Sequence, residues 1–316
     1  MQKKLTILFL ICSGVHFSGF SQSLNVDFLF NPGFTLETEY LAPSVTDDSL
    51  DFQLSKTNFR FTQPLKTKLG IDLKDFNLKK MDAKASQLFL EYHLNVIQPN
   101  MSNGNSFETL YKGGVGLTAI TASVRKGIWI YSANIYGLEN ESTLSESFTP
   151  NFQGYLLNIK TKNLKTFYFY GGGFLVQQGR LIPFPLLGIK TKLTRKLRFE
   201  LVVPVYLRLN YRMSKKVSID WIVGYNGINT VYRQGSAING SDESIYLRQL
   251  KTCLSLNAKL GKRYKFKLDV GYSSLQKLYA WGNSSGQRLS ASPFIGVAVN
   301  YNFGKSVFGN FMTKGS

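Results

Sequence analysis

The sequence predicts an all-β protein, a single antiparallel transmembrane β-barrel of about 12 strands within a range of about 10 to 14. Apolar and polar residues alternate with a period of two along many segments, which gives a strand one apolar and one polar face. Aromatic residues make up 14% of the chain and charged residues only 18%. After the N-terminus there is no apolar run of about 20 residues, the length that a transmembrane helix needs. An apolar face toward lipid and a polar face toward a lumen are typical of an outer-membrane barrel.

The N-terminus has the pattern of a cleaved secretory signal. Lys3 and Lys4 provide a basic start, residues 5–11 an apolar core, and residues 18–23 a small and polar exit. Two alternatives are a membrane anchor, for which the apolar run is short, and a lipoprotein on Cys12, which follows a bulky residue. We expect a signal peptide over residues 1–22, an N-terminal lead-in over 23–33, the barrel over 34–303 and a C-terminal tail over 304–316.

The most regular alternation covers residues 196–211. Every odd position from Leu197 to Tyr211 is apolar, and the even positions include charged residues such as Arg198 and Glu200. The pattern predicts one long strand here, well above the usual five or six residues or so. After a polar break at residues 213–216, alternation resumes and predicts a second strand from Val217 to Tyr225.

Other alternating segments predict the remaining strands, at residues 34–40, 58–73, 88–96, a strand ending near 122, 129–135, 152–161, 165–175, 184–193, 254–260, 265–272 and 295–303. Short turns are expected near Arg125, Asn163, Arg195 and Lys262, and longer polar loops between them, as in barrels with periplasmic turns and outer loops. A direct count gives about 13 strands, whereas bacterial barrels have even numbers. Either one assigned strand is false or Pro204 marks a bend.

The net charge of +19 raises the question of nucleic-acid binding. The basic residues, however, are distributed over strands and turns rather than clustered on one face, as at Arg125, Lys162 and Lys215. Outer-membrane lipids and lipopolysaccharide phosphates are therefore the expected partners, and nucleic acid is not. Removal of the signal would leave Cys253 as the one cysteine, so no intrachain disulfide is expected. No cofactor is expected.

Ionic residues dominate the inferred inward faces of the strands. The candidate lumen-lining residues are Glu37, Glu39, Arg60, Glu91, His93, Lys190, Lys192, Arg198, Glu200, Arg208, Arg212, Asp220, Lys259, Lys265, Lys267 and Asp269. Opposite charges on adjacent strands would pair and fill a narrow interior as a rigid plug. Alternatively, the interior is a narrow pore whose excess of bases favours anions. The sequence leaves both open and names no solute.

His93 is the one histidine that the mature chain would keep. It shares its inferred face with Glu91 and Asn95, so a surface lipid-modifying hydrolase centred on His93 is one alternative function. A lone histidine without a second His or Cys nearby gives no zinc signature. A secreted soluble β-sandwich that binds a ligand is the other alternative. We expect the protein not to be an enzyme.

Three short motifs resemble the middle of an uncharacterised family of Gram-negative outer-membrane β-barrels. They are Pro183-Phe184-Pro185 with Gly188, Val203-Pro204, and Leu209-Asn210-Tyr211. The resemblance extends from about residue 34 to residue 303 and implies a location in the outer membrane of a Gram-negative bacterium. It also implies that the Tyr301-Asn302-Phe303 ending is recognised by the barrel-assembly machinery. It carries no catalytic residue, so a structural or porin-like role in narrow passive transport is expected.

Overall fold

The computed structural model describes residues 32–46, 51–72, 82–101, 109–123, 127–139, 150–163, 165–177, 180–232, 243–279 and 286–303. The predicted signal peptide, most of the predicted lead-in and the predicted C-terminal tail lie outside these residues. Within them, no helix is long and apolar enough to cross a membrane.

The described residues form antiparallel strands throughout. The strands are β1 (Gly33–Val45), β2 (Asp51–Asp72), β3 (Asp82–Met101), β4 (Leu110–Ser123), β5 (Gly127–Glu139), β6 (Asn151–Asn163), β7 (Thr166–Gln177), β8 (Arg180–Lys192), β9 (Leu197–Val203), β10 (Tyr206–Arg212), β11 (Val217–Tyr232), β12 (Glu243–Leu260), β13 (Tyr264–Tyr279), β14 (Gln287–Leu289) and β15 (Ser292–Asn302).

These strands close into a ring. From β1 to β13 each strand pairs with the next, and β15 pairs with both β13 and β1. The short β14 pairs with the end of β13 beyond β15, so β14 and β15 together occupy one place in the wall. The described residues thus form a closed barrel of 14 strands, rather than the expected number of about 12.

Residues 196–211 are a hairpin, and the prediction of one long strand was wrong. β9 and β10 pair antiparallel with Glu200 opposite Arg208, and Pro204 and Val205 form the turn between them. The Val205 N–H donates to the Val202 carbonyl at 2.7 Å. The last directly opposed pair is Val202 with Tyr206, so three residues, 203–205, lie between the paired positions. This odd number keeps odd residues facing outward on both strands, with Leu201 opposite Leu207. The period of two therefore continues through the turn, and this hidden hairpin explains the odd strand count.

Short connections gather at one end of the barrel, which we call the short-turn end. They are residues 124–126, 164–165, 193–196, 213–216 and 261–263, and one longer connection, 73–81, joins strands at the same end. β1 begins and β15 ends at this same end. The opposite end, here the loop end, carries the connections 46–50, 102–109, 140–150, 233–242 and 280–286, together with a short one, 178–179. The short turn at 204–205 points toward this end but stops below it, because β8 and β11 continue past it.

The outer face of the wall is apolar. Leu36, Phe59, Leu94, Leu254 and Val270 leave 41–58% of their surface exposed, and similar side chains occur on most strands. Soluble proteins rarely expose such a continuous apolar surface, whereas lipid covers it in a membrane barrel. The sheet closes on itself, so the β-sandwich alternative was wrong, and the fold is of the outer-membrane type.

Buried apolar side chains fill part of the interior. One cluster, the wall cluster, runs over β3 to β9 and the following turn, with Phe89, Ile130, Phe169 and Val205 among its members. A second, the loop-end cluster, includes Leu41, Phe52, Ile97 and Leu247. Strands β5 and β11 approach each other across the interior to within 8 Å between Cα atoms. The interior is thus narrowed, and two polar cavities border β1, β2, β8–β13 and β15.

Candidate functional site

The sixteen candidate residues all lie on strands, and the barrel separates them into groups. Glu37 and Glu39 lie on β1, Arg60 on β2, Glu91 and His93 on β3, Lys190 and Lys192 on β8, Arg198 and Glu200 on β9, Arg208 and Arg212 on β10, Asp220 on β11, Lys259 on β12, and Lys265, Lys267 and Asp269 on β13. Most of them line one of two adjacent interior cavities, whereas Glu91, His93 and Lys192 line neither. Their role as a lumen lining stays a prediction.

Glu200 is the centre of the first group. Its side chain is nearly buried, and its Oε2 lies 3.5 Å from Lys190 Nζ and 3.9 Å from Arg208 Nη1. The Tyr206 hydroxyl donates to its Oε1 at 2.5 Å. Strand register produces this arrangement, because Glu200 lies directly opposite both Lys190 on β8 and Arg208 on β10. The two cations beside the Glu200 carboxylate compensate for the hydration that it loses on burial.

Arg208 connects this group to a second carboxylate. Its Nε lies 4.0 Å from Asp220 Oδ2 on the neighbouring strand β11. The side-chain amide of Asn210 also donates to Asp220. Charges of alternating sign therefore run along the interior from β8 to β11, as the plug hypothesis requires.

Arg208 also borders an interior cavity of about 260 Å³, which we call the central cavity. The charged side chains around it are Glu37, Glu39, Lys56, Arg60, Arg208, Lys251, Lys267 and Asp269. Lys251 pairs with Glu39, and Lys267 Nζ lies 2.5 Å from Asp269 Oδ2. Sequence reasoning missed Lys56 and Lys251. The sequence contained the signal, because Lys56 is an even number of positions from Arg60 on β2, and Lys251 is an even number of positions from Lys259 on β12. An even spacing places two residues of a strand on the same face.

A second cavity of about 280 Å³ lies at the short-turn end, and we call it the basic mouth. Its lining includes nine cationic side chains, Lys190, Arg198, Arg208, Arg212, Lys215, Lys216, Lys259, Lys265 and Lys267, and two carboxylates, Glu200 and Asp220. Arg208 and Lys267 line both cavities, so the two are adjacent along the interior.

Like charges face each other at and beside the basic mouth. Lys259 lies directly opposite Lys265, and Lys192 lies directly opposite Arg198. The tight turn at residues 261–263 fixes the first of these pairs, with Gly261 at a φ of +79° that favours glycine. Directly opposed like charges destabilise a sheet. Among the described residues, the basic mouth therefore has a larger excess of cations over carboxylates than the central cavity.

Glu91 and His93 make local packing contacts on β3. Glu91 Oε1 accepts a hydrogen bond of 2.6 Å from the Thr118 hydroxyl. The His93 ring lies 6.4 Å from the Tyr136 ring and packs over Gly114, where an added Cβ would come within 2.4 Å of Nε2. The glycine on β4 thus makes room for the imidazole. Within the described ranges, no three His, Cys, Asp or Glu side chains gather as a metal site would require.

Known structures give only distant similarities. The β-domain of the Bordetella autotransporter BrkA has 10% identity and a TM-score of 0.32, over 86% of this chain and 100% of that one. The translocator domain of the autotransporter NalP from Neisseria meningitidis has 10% identity and a TM-score of 0.31, over 96% and 95%. Pseudomonas aeruginosa OccK7 has 10% identity and a TM-score of 0.31, over 86% and 98%. Similarity at this level says nothing about function.

Sequence comparison assigns the chain to a family. No curated protein matches it. The family model described as "Domain of unknown function (DUF6268)" matches residues 128–302, from β5 to the end of β15. That match does not test the short proline motifs that suggested an outer-membrane family, but it covers the strands that carry them. Because the match spans more than half of the sequence, this chain belongs to the DUF6268 family.

Proposed function

We propose that this protein is an outer-membrane barrel that binds small anions at its basic mouth and passes them slowly through a narrow interior. One observation carries the proposal. Nine cationic side chains and two carboxylates line the basic mouth, with Lys259 and Lys265 directly opposite each other.

Electrostatics explains how such a site acts. Two opposed lysines repel each other, and a small anion between them would convert the repulsion into two charge-assisted hydrogen bonds. An excess of one sign in a cleft with low-dielectric walls also concentrates counterions of the other sign. Rings of Lys and Arg are the arrangement by which pores select anions.

The central cavity offers the next binding position. Arg208 and Lys267 border both cavities and would accept an anion from the mouth. Conduction requires binding that is strong enough to admit an ion and weak enough to release it. The carboxylates Glu39 and Asp269, each paired with a lysine, moderate the attraction there. The loop-end cluster beyond makes the path narrow, which is consistent with small solutes.

A structural role is the second candidate, and the Glu200 group favours it. Lys190, Glu200, Arg208 and Asp220 form a chain of alternating charge across four strands. Such a chain would hold the wall together without transport. In this case an anion-selective current is not expected.

Planar-bilayer recording distinguishes the two. In a KCl gradient, we expect conductance steps with a reversal potential that shows anion preference. The double variant Lys259→Gln/Lys265→Gln should lose most of this preference. The matched control Lys160→Gln/Lys162→Gln removes the same charge from two exposed residues of β6 and should keep it. An absence of steps, or cation preference in the unmodified protein, would overturn the transport proposal.

A further inference from the structure

The barrel wall is uneven in height at one place. β9 and β10 have 7 residues each, whereas the flanking strands β8 and β11 have 13 and 16. β8 pairs with β9 only from Leu187 to Lys192, and β11 pairs with β10 only from Ser218 to Gly224. In the described part of the chain, residues 180–186 and 225–232 therefore continue toward the loop end with no strand between them. We call this gap the notch.

The notch opens at membrane depth. Seven residues at about 3.3 Å each, tilted by about 40°, rise roughly 18 Å above the short-turn end. The apolar band of an outer-membrane barrel is about 25 Å tall. The tip of the hairpin at Pro204 and Val205 thus ends inside the band. Unpaired sheet edges are not tolerated against hydrocarbon unless the backbone is satisfied otherwise or lines a polar cavity.

Two prolines explain how β8 tolerates its free edge. The Lys192 N–H donates to the Lys165 carbonyl, so the backbone N–H groups of even-numbered residues in β8 point toward β7. Those of odd-numbered residues point toward the opposite edge of β8, because successive residues alternate between the two edges of a strand. Pro183 and Pro185 are therefore directed toward the notch, where a residue without an N–H leaves no donor unpaired. On the other side, the Tyr225 N–H donates to the Val205 carbonyl at 3.1 Å. The Pro-Phe-Pro and Val-Pro motifs thus border the same gap.

The notch leads to the central cavity. Val205, Tyr206, Gly224 and Tyr225, which surround the tip of the hairpin, also line that cavity. Phe184 and Val205 belong to the wall cluster, so the entrance is apolar. Deeper inside, the lining includes five cationic side chains, Lys56, Arg60, Arg208, Lys251 and Lys267, and three carboxylates, Glu37, Glu39 and Asp269. The route thus begins apolar and ends in a region with an excess of positive charge.

We propose that the notch is a lateral port through which a long-chain fatty acid passes between the bilayer and the interior. The cavity of about 260 Å³ equals the volume of about nine waters, enough for a carboxylate head and the first methylenes. The remaining chain would lie in the notch against Phe184 and Val205. A peptide strand is a poor occupant, because Pro183 and Pro185 deprive the β8 edge of donors. The port uses the interior of the proposed function but does not depend on conduction.

Photo-crosslinking in proteoliposomes tests the port. The probe is palmitate with a diazirine near the end of its chain, and a phosphatidylcholine with the same diazirine chain serves as the control lipid. We expect palmitate adducts on Phe184, Val205 or Tyr206 that excess unlabelled palmitate suppresses. The phospholipid should label outward side chains such as Leu187. Palmitate labelling confined to the outer face, like that of the phospholipid, would overturn the proposal.

A filling variant tests the route. Val205→Trp places a larger side chain at the hairpin tip and should reduce the palmitate adducts on Tyr206, whose hydroxyl bonds Glu200 inside the barrel, about tenfold. Leu207→Trp adds the same side chain to the outer face of β10 and should leave them unchanged. Unaltered labelling in Val205→Trp, with folding verified by heat-modifiable migration, would contradict the port. Anion conductance is recorded on the same variants, so a failed port and a failed anion path give different results.

Discussion

Lys259 on β12 and Lys265 on β13 lie directly opposite each other at the short-turn end of the barrel. Opposed like charges on adjacent strands cost a sheet stability, typically some tenths of a kcal/mol. Both side chains border a cavity in which cations outnumber carboxylates. The opposed lysines thus lower the stability of the sheet, but they favour the anion binding that we propose.

Reversal of one of these charges should stabilise the barrel and weaken its anion preference. Lys259→Glu converts the repulsive pair with Lys265 into an attractive one, so we expect the free energy of unfolding to rise by about 0.2–1 kcal/mol. Urea unfolding in lipid vesicles measures the stability, and bilayer recording measures the selectivity. Lys160→Glu, an exposed residue whose Nζ lies 5.4 Å from the Tyr170 ring, is the control and should leave selectivity unchanged. A loss of stability in Lys259→Glu would contradict the repulsion argument.

Loss of the Glu200 charge should destabilise the wall. Glu200→Gln keeps a polar acceptor for Tyr206 but leaves Lys190 and Arg208 without the carboxylate between them. We expect the free energy of unfolding to fall by roughly 2 kcal/mol, below the full cost of breaking a buried pair because Lys190 is partly exposed. Glu37→Gln, at a half-buried position, should cost less. Equal effects in urea unfolding would show that Glu200 has no special role.

A matched glycine pair tests packing in the interior. An added Cβ at Gly173 would come within 2.2 Å of Phe184 Cζ, whereas one at Gly113 meets nothing within 4 Å. Gly173→Ala should therefore lower the free energy of unfolding by about 1–3 kcal/mol through overpacking. Gly113→Ala should be neutral or slightly stabilising. The comparison is made by urea unfolding, and equal values for the two variants would mean that the Phe184 ring moves freely.

His93 should prove dispensable for lipid chemistry. Its contacts are the Tyr136 ring and the space over Gly114, which indicate a packing role. We expect His93→Ala to leave the lipid A and phospholipid profiles of the producing cells unchanged, as measured by mass spectrometry. The unmodified gene and an empty vector are the controls. A modified lipid that appears with the unmodified protein and disappears with His93→Ala would establish the hydrolase alternative.

Some features of the fold were predictable because they are local. The alternation in residues 34–40 or 254–260 assigns each side chain to a face whatever strand lies beside it. The apolar outer wall and the positions of Lys190, Glu200 and Lys265 on strands follow from it. Lys56 and Lys251 carried the same signal and were overlooked.

Other features depend on partners distant in sequence. Three residues, 203–205, separate the opposed pair Val202 and Tyr206, and this odd number preserves the phase of alternation. Residues 196–211 therefore look like one strand although Pro204 and Val205 divide them. The opposition of Lys192 with Arg198, and the position of Pro183 and Pro185 beside a gap, likewise require the pairing of β8 with β9 and the length of β10.

The sequence by itself determined an all-β barrel with an apolar exterior and a charged interior, because the period of two is a property of each strand alone. Only the tertiary structure decided the number of strands, the opposed lysines at the basic mouth and the notch. The physical reason is that strand register is fixed by closure of the whole ring, and closure decides which charges meet and where the wall stays open.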